Sequence, residues 1–131
     1  MMVVDTSALI AILQDETDAG RFAAAIAAAD RALISAATVA DAGIVMLSRH
    51  GPRGADKVRA LIQEGRLQVE SVTEEHAELA VEAYGSYGKG QAGKASLNYG
   101  DCFSYALAKA TGLPLLYKGG DFSETDLEAA P

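Results

Sequence analysis

The sequence predicts an α/β fold with a mostly parallel sheet of four to five strands and helices on both faces. Three observations carry this. Short apolar runs of strand length alternate with helix-length segments from one end of the chain to the other. Hydrophobic residues make up 50%, rich in Ala and Val and without Trp, which suits short buried strands under tightly packed helices. The 131 residues match the commonest size of one domain and leave too little chain for a second core, so residues 1–131 are expected to form a single domain.

The elements follow in order. Val3-Val4 is a β-branched strand ending at Asp5-Thr6-Ser7, where Thr6 or Ser7 is expected to cap a helix from Ala8 to Leu13. A second helix, Asp18 to Ala29, sets Phe22, Ala25, Ile26 and Ala29 on one face. Ala32–Ser35 is the second strand, and Thr38 is the expected cap of a helix ending near Arg49-His50-Gly51. Pro52 opens the next helix, which Gly65 stops. Leu67–Val72 alternates apolar and polar residues as a third strand. Thr73-Glu74-Glu75 starts a helix with acids where its dipole favours them. From Gly85 to Gly100, Gly, Ser, Lys and Gln predict a mobile loop of the kind that lines sites. Asn98 then caps a helix through Asp101, Phe103 and Leu107, which stops at Gly112. Pro114–Tyr117 is the fourth strand, Gly119–Phe122 a turn, and the end of the chain a candidate fifth strand.

The charge narrows the function. With 11 basic and 18 acidic residues, the net charge of −7 argues against binding nucleic acid by a broad basic surface. It leaves room for an enzyme that meets phosphate through a bound divalent cation. No apolar run is long enough to span a bilayer, and the N-terminus lacks the pattern of an export signal. The one cysteine, Cys102, cannot form an internal disulfide, and a cytoplasmic location is expected.

In open α/β sheets, ligands collect beyond the carboxyl ends of the strands. Asp5 follows the first strand, Asp41 lies early in the helix after the second, Asp101 is in the first turn of the helix before the fourth, and Asp121 follows the fourth. Each has an ordinary structural reading: Asp5 and Asp121 as turn residues, Asp101 as a partner of a helix dipole, Asp41 as a solvated surface acid. Tyr99, Phe103 and Tyr105 read as packing residues, and Lys89, Lys94 and Lys118 as solvated lysines. Together, however, the four acids converge on one edge. Convergent carboxylates repel one another, and Mg²⁺ or Mn²⁺, which take oxygen ligands, relieve that repulsion. His50 and His76 lack the spacing of a zinc site.

These same segments resemble a known family. Val3-Val4-Asp5-Thr6-Ser7-Ala8-Leu9 resembles the opening of PIN domains, above all the VapC-type toxins of bacterial toxin–antitoxin pairs. Ile34–Asp41 resembles the block that bears their second acid, Leu97–Ala108 is the most specific match, and Pro114–Phe122 resembles the fourth block. The resemblance spans nearly the whole chain. It implies a Rossmann-like PIN fold and Mg²⁺- or Mn²⁺-dependent hydrolysis of RNA by a metal-activated water. It also implies Asp5, Asp101 and Asp121 as metal ligands, Asp41 as a further catalytic acid, and Asp126 as a weaker candidate. A VapB-type antitoxin and a homodimer are the implied partners. One departure stands out: the family's second acid is usually Glu, and Asp41 reaches shorter by about one bond length, comparable to the tolerance of a metal–ligand distance.

Two other classes compete. A phospho-receiver domain also gathers acids and Mg²⁺ at strand ends, with Lys118 as its basic partner, but the chain has no adjacent acidic pair after its first strand. A PIN-like module that only binds a partner is the other, suggested by Asp41.

Overall fold

The computed structural model describes residues 1–91 and 93–131. Ala92, inside the expected glycine-rich loop, lies outside the described residues. The strands are β1 (Met2–Val4), β2 (Ala32–Ser35), β3 (Gln68–Glu70) and β4 (Leu115–Leu116). The helices are α1 (Thr6–Leu13), α2 (Ala19–Ala28), α3 (Ala36–His50), α4 (Pro52–Glu64), α5 (Glu74–Tyr87) and α6 (Tyr99–Thr111). All strand pairs are parallel, in the order β3-β2-β1-β4.

Side chains alternate across a strand, so each central strand feeds two cores. Met2, Val4, Ala32, Ile34 and Leu116 pack with Leu9, Phe22, Ile26, Met46 and Val58 from α1–α4. Val3, Leu33 and Leu115 face the other way, onto Ala83, Leu107, Tyr105 and Phe122. The sheet is therefore covered on both faces, as expected of parallel strands. The expected fifth strand is reduced to a bridge: Leu115 pairs with Ala129 through Leu115 N–H to the Glu128 carbonyl and Ala130 N–H to the Leu115 carbonyl.

Three local expectations are corrected. The cap of α1 is Asp5, not Thr6 or Ser7: its carboxylate accepts the Ser7 N–H, so the helix begins one residue after the strand. Ser35 likewise caps α3 through Ala37 N–H, which leaves Thr38 inside the helix and buried. Helix α5 runs to Tyr87, past Gly85. Gly88 then pairs with Leu97, through Lys89 N–H to the Leu97 carbonyl and Leu97 N–H to the Tyr87 carbonyl.

The strand order fixes where a site can form. From β1 the chain moves to β2 and β3 on one side, and β4 returns on the other. The crevice beyond the carboxyl ends of β1 and β4 is where such sheets receive ligands.

Candidate metal centre

Asp5 follows β1 directly and is only 2% exposed. A buried charge needs hydrogen bonds to persist, and Asp5 has them. Its Oδ2 accepts Ser7 N–H at 3.0 Å and Ser7 Oγ–H at 2.7 Å. Its Oδ1 accepts the Ser104 hydroxyl at 2.5 Å. Burial pushes the Asp5 carboxyl above its usual range, while the bonds from Ser104 and Ser7 pull the other way. Ser7 Oγ in turn accepts the Lys118 backbone N–H at 2.9 Å, which ties the segment after β4 to the start of α1.

Asp101 stands in the first turn of α6 in a capping box. Its N–H bonds to Asn98 Oδ1 at 2.9 Å, and its Oδ2 accepts Asn98 N–H at 3.0 Å. Asp101 is pushed up to about 7, first by burial, then by the charges of Asp5, Asp121 and Asp41, against the Asn98 bond. The structure thus brings Asp5, Asp121 and Asp41 within electrostatic reach of Asp101. Asp41 reaches in from α3, where its Oδ2 accepts the Thr6 hydroxyl at 2.8 Å. Gly100 lets it lie close, for a Cβ at that position would fall 2.6 Å from Asp41 Oδ2. Asp121 is exposed in the turn after β4, beyond Gly119 at φ 93°, a conformation that favours glycine.

The donor set suits a hard divalent cation: Asp5, Asp121 and Asp41 act on Asp101 as like charges, and among the described residues none of the four forms an ion pair. As the side chains stand, no three acidic, His or Cys groups among the described residues are gathered closely enough to grip an ion. Asp5, Asp41 and Asp101 are each turned onto a neighbouring hydroxyl or backbone donor.

Other side chains have partners of their own. Asp126 accepts the Tyr105 hydroxyl at 2.7 Å and Lys109 Nζ at 2.6 Å. Burial would raise its carboxyl, but Lys109 and Tyr105 hold it below its usual range. Lys118 is not simply solvated: its Nζ bonds to Glu16 and lies 3.1 Å from Asp18 Oδ1. Tyr99 is 79% exposed and packs only edge-on against the Phe103 ring. Sequence reading missed Ser104 and Thr6 as partners of the acids and Thr38 as the partner of Ser104. The available signal was Ser104 itself, a hydroxyl in an otherwise apolar stretch one turn after Asp101.

A parallel sheet with acids beyond the carboxyl ends of its strands is a framework on which a divalent cation can be held. Comparison with known proteins narrows this. Residues 2–128 match the PIN domain family model. The chain is 48% identical over 129 residues to Ribonuclease VapC28 of Mycobacterium tuberculosis, covering 98% of this chain and 97% of that protein. The fold superposes on the crystal structure of Mycobacterium tuberculosis VapC20, described as a Sarcin-Ricin loop cleaving toxin. That match has a TM-score of 0.80, 21% identity and full coverage of both chains. A toxin–antitoxin complex from Klebsiella pneumoniae matches with a TM-score of 0.71 and 19% identity, covering 96% of this chain and 93% of that one. The chain therefore belongs to the PIN-domain family and, within it, to the VapC proteins.

Proposed function

We propose that the protein is the toxin of a type II toxin–antitoxin pair, an endoribonuclease that hydrolyses RNA phosphodiester bonds with Mg²⁺, or Mn²⁺ in its place. The observation that carries this is the group of four carboxylates, none of them in an ion pair among the described residues, in a chain nearly half identical to a named ribonuclease. Asp5, Asp101 and Asp121 would hold the cation, with Asp41 as the fourth catalytic acid. A bound Mg²⁺ would supply charge neutralisation at the phosphate and a more acidic water. The protein's own part is positional. Asp5 is locked by Ser7 and Ser104, Asp101 is fixed at the head of α6, and Asp41 is steadied by Thr6. Asp41 accommodates its shorter reach by lying against Gly100.

The net charge of −7 fits this reading, because a cation and not a basic surface would meet the RNA backbone. A VapB-type antitoxin is the expected partner, by likeness to proteins solved as toxin–antitoxin complexes, and a second copy of the chain is expected from the family resemblance. One PIN domain over residues 1–131 and a cytoplasmic location complete the proposal. Among the described residues no helix is long and apolar enough to cross a membrane. The receiver-domain alternative loses its basis, since the chain belongs to the PIN family and Lys118 Nζ is taken by Glu16 and Asp18. A partner-binding module without catalysis is separated by experiment. Purified protein should cleave RNA with Mg²⁺ and stop on chelation, and Asp5→Ala or Asp101→Ala should abolish cleavage. Equal cleavage by wild type and both variants would reject the assignment.

A further inference from the structure

Ser104 and Thr38 are both fully buried polar residues, from α6 and α3 respectively. Their hydroxyls lie 3.2 Å apart, and Ser104 Oγ lies 2.5 Å from Asp5 Oδ1. A serine hydroxyl has one proton, and an ionised carboxylate can only accept. With Asp5 ionised, as a cation ligand must be, the Ser104 proton goes to Asp5 and Thr38 donates to Ser104. The direction of the chain is fixed: Thr38 to Ser104 to Asp5. A serine inside a helix ordinarily bonds back to the preceding turn or faces solvent. Here it reaches across the end of the sheet to a residue 99 positions away.

The acceptor count shows what this does. A carboxylate offers about four lone-pair sites. Ser7 N–H and Ser7 Oγ–H occupy Oδ2, and Ser104 takes one site on Oδ1. These three bonds leave one site on Oδ1, with the Thr6 N–H adding only the weakest of the pulls on the carboxylate. We infer that Ser104, oriented by Thr38, is a positioning residue that fixes the Asp5 carboxylate so that one Oδ1 lone pair stays free for a divalent cation. This rests on the proposed metal-dependent reading of the acidic site. Ser104 would not touch the RNA or the reacting phosphate; it would act only through Asp5.

Calorimetric titration of the purified chain with Mn²⁺ tests this, alongside melting temperatures without metal. Ser104→Ala should weaken Mn²⁺ binding by about 10-fold, at the lower end of what partners of metal ligands contribute. Thr38→Val, which keeps the side-chain shape and removes the hydroxyl, should weaken it by a smaller factor. Ser104→Thr and Thr38→Ser, which keep the hydroxyls, should bind as wild type does. In steady-state cleavage, Ser104→Ala should raise the Mn²⁺ concentration needed while leaving the KM for RNA unchanged. Wild-type Mn²⁺ affinity in both Ser104→Ala and Thr38→Val would overturn the inference. So would a loss that follows melting temperature and appears equally in Thr38→Val and Thr38→Ser. Asp5→Ala separates the two levels. If it too binds Mn²⁺ as wild type does, the acidic site is not the metal site, and both readings fall. If it loses binding while Ser104→Ala and Thr38→Val keep it, only the role of Ser104 and Thr38 falls.

Discussion

Two groups of carboxylates in this molecule receive opposite treatment. Asp126 is bonded by Lys109 and Tyr105, and Asp18 is paired with Lys118; despite the opposing effect of burial, both are held below the usual carboxylate range. At the strand ends, Asp5 is raised by burial, and Asp101 is raised to about 7 by burial and by Asp5, Asp121 and Asp41. Where the fold supplies a cation, the acid serves as a structural tie. Where the fold gathers acids and supplies none, the charge is left for something from solution to balance. Burial of a carboxylate does not by itself mark a site; the missing counter-charge does.

The largest effect should come from breaking the unbalanced group. Asp5→Ala should lower RNA cleavage by more than about 100-fold, beyond what residues acting through a ligand contribute. Asp126→Asn should leave cleavage intact and lower the melting temperature by no more than a few degrees, because exposed ion pairs contribute little. Rates and melting curves of the two variants side by side check the contrast.

pH should sharpen the comparison next. Asp101 in the folded chain keeps its proton up to about pH 7, whereas in the unfolded chain it loses it near 3.8. Between those values the folded state binds more protons, so stability of the metal-free protein falls as pH rises through this window. Melting temperatures in chelator should therefore decline from pH 5 to pH 8. Asp101→Asn should flatten that decline. Metal-dependent cleavage should run the other way and rise with pH toward and past 7, because Asp101 must be ionised to bind a cation. A pH–rate profile at fixed Mg²⁺ checks the sign.

Smaller effects follow at the edges. Lys118→Met removes the partner of Glu16 and Asp18 and leaves Asp18 with Arg21, 4.0 Å from its Oδ2, as its remaining cation. It should destabilise the chain modestly while Mn²⁺ affinity stays close to wild type, since only the Lys118 backbone N–H connects to Ser7. Gly100→Ala puts a methyl against Asp41 Oδ2. Because that oxygen is the end of a movable side chain, the expected loss of activity is a few-fold, read from initial rates.

Much of this was legible in the sequence because strand, cap and turn chemistry are local. Ala32–Ser35 and Pro52–Glu64 appear with the boundaries expected, and Asn98 caps α6 with Asp101 at its third position. The four acids were found because each sits beside such a local signal. The hydroxyls that hold them were not, because Ser104 meets Asp5 and Thr38 across gaps of 99 and 66 residues. Asp5 itself illustrates the limit. Its place after a valine strand was plain, but that it would displace Thr6 and Ser7 as the cap of α1 depends on Ser7 turning back to it.

The most direct measurement is the melting temperature at pH 8 with and without saturating Mg²⁺, for wild type, Asp101→Asn and Asp126→Asn. A ligand at about 100 times its Kd stabilises the folded state by about 2.7 kcal/mol. Mg²⁺ should therefore raise the melting temperature of wild type and Asp126→Asn by several degrees and leave Asp101→Asn nearly unmoved. In the absence of metal, Asp101→Asn should melt above wild type, since the substitution relieves the repulsion. A wild-type melting temperature indifferent to Mg²⁺, or an equal rise in all three proteins, would contradict the claim that the strand-end acids form the metal site.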